Sequence, residues 1–243
     1  MSVLAIIPAR SGSKGIPGKN WTRMGAYPDD NPPVIRAMGV AFAAGCDEVV
    51  LSTDHPPNFA VLPCPRYLRR PAALAQDDTP MIAVVQHVLE QIPGPPDQPI
   101  VLLQPTQPLR KPEHITQALE LLTSGASSVV SVARIPQAMS PPMACWIGDL
   151  SHYLCPFDAK RGLYGGEPRD WSGVIARRQD AGDWYYRDGT VYAFWRKTVD
   201  ETGTIYGHAV QPLIIDPAET CPLDTPDDWL EAERRLRERT PQA

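Results

Sequence analysis

The sequence predicts an α/β protein, a three-layer doubly wound sandwich around a mostly parallel sheet. Three observations carry this: short apolar runs recur along the chain, helical patterns separate them, and a glycine-rich basic loop follows the first run. The runs are VLAII (3–7), EVVLS (48–52), PIVLLQ (99–104), SVVSVA (128–133), TVYAFW (190–195) and HAVQPLII (208–215). Several are apolar on both faces, as strands are when a sheet is covered on both sides. Such a sheet places its ligand crevice at the carboxyl ends of the strands, so functional residues are expected there.

The helices follow from periodicity and start signals. Residues 80–92, PMIAVVQHVLEQI, set Ile82, Val85, Val88 and Leu89 on one face. Segment 112–123, PEHITQALELLT, opens with Pro112 at a first helical position, where a missing N–H costs nothing. A last helix is expected after Thr225, where Pro226 and Asp228 complete a start signal, and it runs through WLEAERRLRE. Residues 134–187 break the rhythm, being rich in Pro, Gly, Trp, Tyr and Arg with weak periodicity. They read as an insertion within a single domain spanning 1–243, one that caps the crevice or pairs subunits.

With 243 residues, 43% of them hydrophobic, the chain can bury a substantial core without a second full domain. A net charge of −5 and a pI near 5.5 argue against a general nucleic-acid binder, whose phosphate affinity needs excess Lys and Arg. The first apolar run breaks at Pro8, too short for a secretory segment or for the roughly 20 residues of a membrane span. A soluble, cytoplasmic protein with no membrane partner is expected. Cys46, Cys64, Cys145, Cys155 and Cys221 are scattered without C-x-x-C spacing and read as reduced thiols. The five histidines show no metal spacing; His87 and His114 fall in helical segments as surface or satisfied core residues.

The loop Ala9 to Asn20, ARSGSKGIPGKN, follows the first strand and so overhangs the crevice. Gly12, Gly15 and Gly18 let the backbone approach a ligand, while Arg10, Lys14 and Lys19 add positive charge, a combination suited to a polyphosphate. It is not a Walker loop, because Gly12 and Gly18 enclose five residues and Asn20 follows Lys19. Nor is it the Gly-x-Gly-x-x-Gly of a nicotinamide-dependent oxidoreductase, the reading from another enzyme class.

IIPARSGSKGIPGKN resembles the signature of cytidylyltransferases that make CMP-activated acidic sugars, the CMP-sialic acid synthetase family. Further blocks agree in order: VVLSTD (49–54), RRPAALAQDDTP (69–80), LLQPTQPLR (102–110), RRQD followed by DGTVYAF (177–194), and LDTPDDW (223–229). The resemblance implies a nucleotide-diphospho-sugar transferase-like fold and a homodimer. The reaction it implies is attack of an acceptor oxygen on the α-phosphorus of CTP, with release of pyrophosphate. Charge then develops on the phosphate oxygens, which held cations stabilise; Arg10, Lys14 and Lys19 fit that catalytic role.

By the same resemblance the nucleotide is held by Ala9, Arg10, Ser11, Gly12, Ser13 and Asn20, with Asp54 ending the second strand. Arg70 and Thr79 sit where the family reads cytosine; the alternatives are a solvated arginine and a cap on the helix at Pro80. Gln104, Arg178 and Tyr192 would contact a small acidic acceptor. Asp224 is the candidate ligand for Mg²⁺ or Mn²⁺, its alternative being a helix-start residue. Relatives commonly carry a second Asp two positions earlier, where this chain has Pro222, so either Asp216 compensates or Asp224 works with water ligands. Asp188-Gly189 replaces the usual Asn-Gly and Gln107-Pro108 the usual Ser-Pro; Asp188 is expected to face elsewhere or to pair with Arg177 or Arg187. These changes and the Ala/Pro/Arg-rich composition lean the acceptor towards a phosphonate. The alternative acceptor is a nonulosonic acid such as sialic acid, or Kdo. A non-catalytic nucleotide-binding relative, suggested by Pro222, is the remaining alternative.

Overall fold

The computed structural model of the chain describes residues 1–25, 30–55, 66–136, 139, 145–147, 154–156 and 183–239. The chain divides into two compact units, one made of Met1–Val132 and Arg187–Ala243, the other of Ala133–Tyr186. The larger unit is built on β1 (Leu4–Pro8), α1 (Pro33–Ala43), β2 (Glu48–Thr53), β3 (Arg66–Arg69), α2 (Met81–Gln91), β4 (Pro99–Leu102), α3 (Pro112–Thr123) and β5 (Ser128–Arg134). In the smaller unit β6 (Cys145–Ile147) and β7 (Leu154–Pro156) form an antiparallel ribbon, and Ile135 N–H donates to the Trp184 carbonyl at 2.8 Å. The chain then continues through β8 (Tyr185–Trp195), α4 (Arg196–Thr202), β9 (Val210–Ile215) and α5 (Pro226–Arg239).

A seven-stranded sheet runs in the order β3-β2-β1-β4-β8-β5-β9. β1 pairs in parallel with β2 and with β4, β2 pairs in parallel with β3, and β8 is antiparallel to β4. Strand order therefore reverses beside β1, whose carboxyl end opens into a topological switch point. Successive residues of β1 alternate between two cores. Ala5 and Ile7 join α1 and α3 on one face, while Leu4 and Ile6 join α2 and α4 on the other. Five fully buried residues in a row, LAIIP, are what a strand sandwiched between helical layers requires.

α1 is not among the helices expected from the sequence. Its signal is present: Pro33 at the first turn, then Val34, Ile35, Ala37, Met38 and Ala41 buried at helical spacing. β3 is an exposed edge strand, RYLR, too short and polar to stand out. β8 starts earlier than the TVYAFW run, at Tyr185, and its first three residues, Tyr185–Arg187, are exposed and lie outside the apolar run. A third, smaller cluster packs Ala232 and Leu236 of α5 against Met24, Leu109, Cys221 and Leu223. This cluster pins the segment before α5 under the loop that follows β1. Among the described residues, no helix is long and apolar enough to cross a membrane.

Candidate active site

The loop after β1 is held at both ends by its own chemistry. Ala9 N–H extends the sheet to the Ser52 carbonyl at 2.9 Å, and Ser11 gives its N–H and hydroxyl to the Asp54 carboxylate at 2.8 and 2.5 Å. Desolvation pushes the Asp54 carboxyl up, but these two bonds outweigh it and keep it below the usual range. At the far end Trp21 and Thr22 N–H groups close a turn onto the Gly18 carbonyl, and Gly18 takes the left-handed conformation, φ +67°. The side chains of Asn20 and Trp21 both donate to the Arg10 carbonyl, at 3.1 and 3.2 Å. Ser13 bridges inside the loop, donating to the Ile16 carbonyl and accepting from Lys19 N–H. Asn20 Oδ1 is buried without a hydrogen-bond partner among the described residues, leaving an acceptor beside the loop.

The three loop cations fall into two groups. Arg10 and Lys14 both grip Asp77, Lys14 at 2.6 Å from Oδ2. Lys14, then Arg10, hold the Asp77 carboxyl below its ordinary value. Lys19 points the other way: its half-buried ammonium donates to the Leu223 carbonyl at 2.5 Å and lies 3.8 Å from Asp224 Oδ1. Gly15 makes this approach possible, because a Cβ there would collide with the Asp224 carbonyl oxygen. The residue is glycine so that loop and segment can touch backbone to backbone.

Asp224 is not a helix cap. Thr225 and Asp228 share that work in a reciprocal box: Asp228 Oδ2 accepts from Thr225 N–H at 2.7 Å and from Asp224 N–H at 3.1 Å, and Thr225 Oγ1 accepts from Asp228 N–H. The Asp224 carboxylate is left exposed beside Lys19. Asp216 lies elsewhere. It caps the short 3₁₀ turn Pro217–Glu219, accepting from Ala218 N–H at 2.8 Å, and lines a cleft of about 160 Å³ with Lys111, His114 and Glu219. Among the described residues no group of three His, Cys, Asp or Glu side chains is placed to hold a metal ion. What remains fits Mg²⁺ bound by one carboxylate with phosphate and water oxygens, which that ion accepts.

Arg70 is no solvated arginine. It is 5% exposed, and its guanidinium donates to Ser52 Oγ at 3.2 Å and to the Ser52 carbonyl at 2.8 Å. Burial pulls its pKa to about 10, with Asp54 pushing back. Thr79 caps nothing on α2, which starts without a side-chain cap; its hydroxyl donates to the Ala73 carbonyl at 3.4 Å.

On the other side of the crevice, Gln104 lies over Gly189, whose Cβ would stand 3.2 Å from Gln104 Oε1; Gly189 is left-handed at φ +78°. Tyr192 pairs across the sheet with Leu102, and desolvation raises its phenol pKa. Asp188 is 3% exposed and does not pair with Arg187, which donates to the Tyr206 hydroxyl at 2.6 Å instead. Its carboxylate accepts from Thr190 N–H at 3.3 Å and from the Thr190 hydroxyl, in the field of the buried Arg110. Arg177 and Arg178 lie outside the described residues, as do Cys64 and His152. Cys46 and Cys221 are buried free thiols, and burial pushes Cys46 up to about 12. His114 is buried and satisfied, accepting from Lys111 N–H at Nδ1 and meeting Glu219 at 3.0 Å through Nε2.

Three residues that sequence reasoning did not assign stand out: Asp77, Gln107 and Arg110. Asp77 lies in the RRPAALAQDDTP block, but nothing in the sequence indicates that it meets Arg10 and Lys14. Arg110 donates to the carbonyls of Gln104 and Thr190, contacts that no spacing rule announces.

A basic glycine loop at a switch point, opposed by an exposed carboxylate, is the site of an enzyme that handles nucleotides. A cytidylyltransferase family profile matches residues 4–139, and the chain belongs to that family. It is 30% identical to CMP-N,N'-diacetyllegionaminic acid synthase of Legionella pneumophila over 97% of both chains. It is also 32% identical to a 3-deoxy-manno-octulosonate cytidylyltransferase of Sodalis glossinidius, covering 94% of this chain and 95% of the relative. An N-acylneuraminate cytidylyltransferase of Streptococcus agalactiae is 25% identical over 95% of this chain, which spans only 52% of that protein. Among solved structures, CMP:2-keto-3-deoxy-manno-octonic acid synthetase complexed with CTP superposes with a TM-score of 0.68 at 15% identity, covering 99% of this chain and all of the other. The protein is a nucleotidyltransferase with the expected α/β fold.

Proposed function

We propose that the protein transfers CMP from CTP to the hydroxyl of a 2-keto sugar acid of the nonulosonic or octulosonic class, releasing pyrophosphate. The carrying observation is the juxtaposition of Lys19 and Asp224 across the Gly15 contact, with Arg10 and Lys14 on the same loop. In the step, the acceptor oxygen bonds to the α-phosphorus, its proton leaves, and the bond from that phosphorus to the pyrophosphate oxygen breaks. Arg10, Lys14 and Lys19 supply the positive charge that meets the developing phosphate charge. A Mg²⁺ held by Asp224 would add Lewis-acid stabilisation of the phosphate oxygens. Asn20 Oδ1, without a partner among the described residues, is available to accept a nucleotide hydroxyl, and Arg70 and Thr79 are the base-side residues of this reading.

The acceptor class rests on the relatives' names, which are those of sugar acids. The lean to a phosphonate has no support among them. The altered Gln107 donates to the Asp188 backbone carbonyl and the Asp188 carboxylate is taken up by Thr190, so both changed side chains are engaged within the protein. Gln104, Tyr192 and Arg178 are the acceptor-side residues of this reading, and a homodimer is its expected assembly, checked by sedimentation.

The test is pyrophosphate release from each ribonucleoside triphosphate with Mg²⁺, against sialic acid, N,N'-diacetyllegionaminic acid, Kdo and small phosphonates. Release with CTP and a sugar acid is expected. Release with a phosphonate alone would overturn the acceptor reading, and no release from any pair despite CTP binding would favour a non-catalytic relative.

A further inference from the structure

Gln107 is 3% exposed, and both ends of its amide are engaged. Its Nε2 donates to the Asp188 carbonyl, and its Oε1 accepts from the Thr220 hydroxyl at 3.3 Å and from Cys221 N–H at 3.4 Å. The neighbouring Thr106 carbonyl accepts from Leu223 N–H at 2.9 Å, and the Leu223 carbonyl in turn accepts from Lys19 Nζ. A continuous hydrogen-bonded path therefore runs from the Asp188-Gly189 turn, through residues 106–107, to Lys19 beside Asp224. A neutral primary amide suits its centre, since it can donate at one end and accept at the other without burying a charge. Arg110 ties the same strand pair together through the carbonyls of Thr190 and Gln104, and Gly189 sits against the Gln104 side chain.

We propose that Gln107 is a positioning residue that couples the two halves of the site, transmitting the arrangement of the phosphate-side segment Thr220–Asp224 to the acceptor-side turn Asp188–Gly189. The inference rests on the nucleotide being held at the Lys19–Asp224 end. With CTP bound there, Lys19 and the Leu223 backbone are fixed, the Cys221 N–H is fixed with them, and Gln107 carries that order to the turn beneath Gln104. Gln107 touches no substrate in this scheme.

Amide hydrogen exchange read by mass spectrometry tests this without an acceptor, using CTP and Mg²⁺ on the intact protein. In the wild type CTP slows exchange in peptides covering 219–225 and also those covering 187–191, the latter by roughly fivefold or more. Gln107→Glu keeps the acceptor end and removes the donor to Asp188. It retains the slowing at 219–225 and loses it at 187–191. Gln107→Ser, which leaves the path open at both ends, gives the same loss and guards against a misfolded first variant. CTP slowing both regions in either variant as it does in the wild type would overturn the coupling. A residue that merely stabilises the fold would lower the thermal midpoint and leave the pattern of slowing intact. If CTP slows exchange nowhere in the wild type, the nucleotide reading fails and the coupling that rests on it falls too; slowing at 219–225 without slowing at 187–191 in the wild type overturns the coupling alone.

Discussion

Asp77 occupies the two cations that the loop after β1 presents on its outer side. A triphosphate arriving at Arg10 and Lys14 meets a carboxylate already in place and must compete with it. Asp77→Asn removes the competitor while keeping the side chain's shape. CTP affinity at low ionic strength then rises several-fold, and its dependence on salt steepens, because more unneutralised cation faces the ligand. Titrations at low and moderate salt check this, and weaker CTP binding would make Asp77 an organiser of the loop instead. Lys19 behaves differently, being half-buried and aimed at Leu223 and Asp224. Lys19→Met should lower kcat by about 10²-fold or more, measured by pyrophosphate release alongside a thermal midpoint that excludes unfolding.

Elements bring these residues together by contacts closer than a side chain allows. Gly15→Ala drives a methyl into the Asp224 carbonyl, so the loop or the segment before α5 must shift. Since a misplacement of about 1 Å can cost about 10²-fold, the variant should lose most of its turnover. Unfolding by urea should change little, because the loop is at the surface. A second junction joins the start of α3 to the 3₁₀ turn, where Lys111 and then His114 hold Glu219 down to about 2. A lowered carboxylate stabilises the fold above its unfolded value of about 4.3, and that contribution fades as pH falls towards 2. Glu219→Gln is therefore less stable than the wild type at pH 7, and the gap in urea midpoints narrows from pH 4.3 downward. α3 was legible from its start signal and apolar stripe and spans Pro112–Thr123 as its sequence pattern indicates, whereas α1 carries a comparable signal and is not among the expected helices. β3 was illegible because its order comes from pairing with β2 rather than from its own residues.

At the scale of the whole molecule, the sheet supplies the rigidity on which the site depends. Phe194 is fully buried between β4, α2 and α4. Phe194→Ala should cost about 3–5 kcal/mol, a large share of the ~5–15 kcal/mol that holds a domain folded; equilibrium urea unfolding measures it. The crevice was legible from strand–helix alternation, and the basic loop from position and charge. The partnerships were not: Asp77 with Arg10, Gly15 with Asp224 and Gln107 with Asp188 join residues distant in sequence, and their geometry exists only once the layers have packed.

The antiparallel pairing of β4 with β8 carries a consequence for how the chain reaches this state. Val101 waits for Ala193, a partner roughly ninety residues away, so β1, β2 and β4 can associate while one side of β4 still lacks its neighbour. During synthesis and refolding that flank, with Ile100, Val101 and Leu102, is an open template for another chain's strand. Its protection depends on how soon β8 arrives.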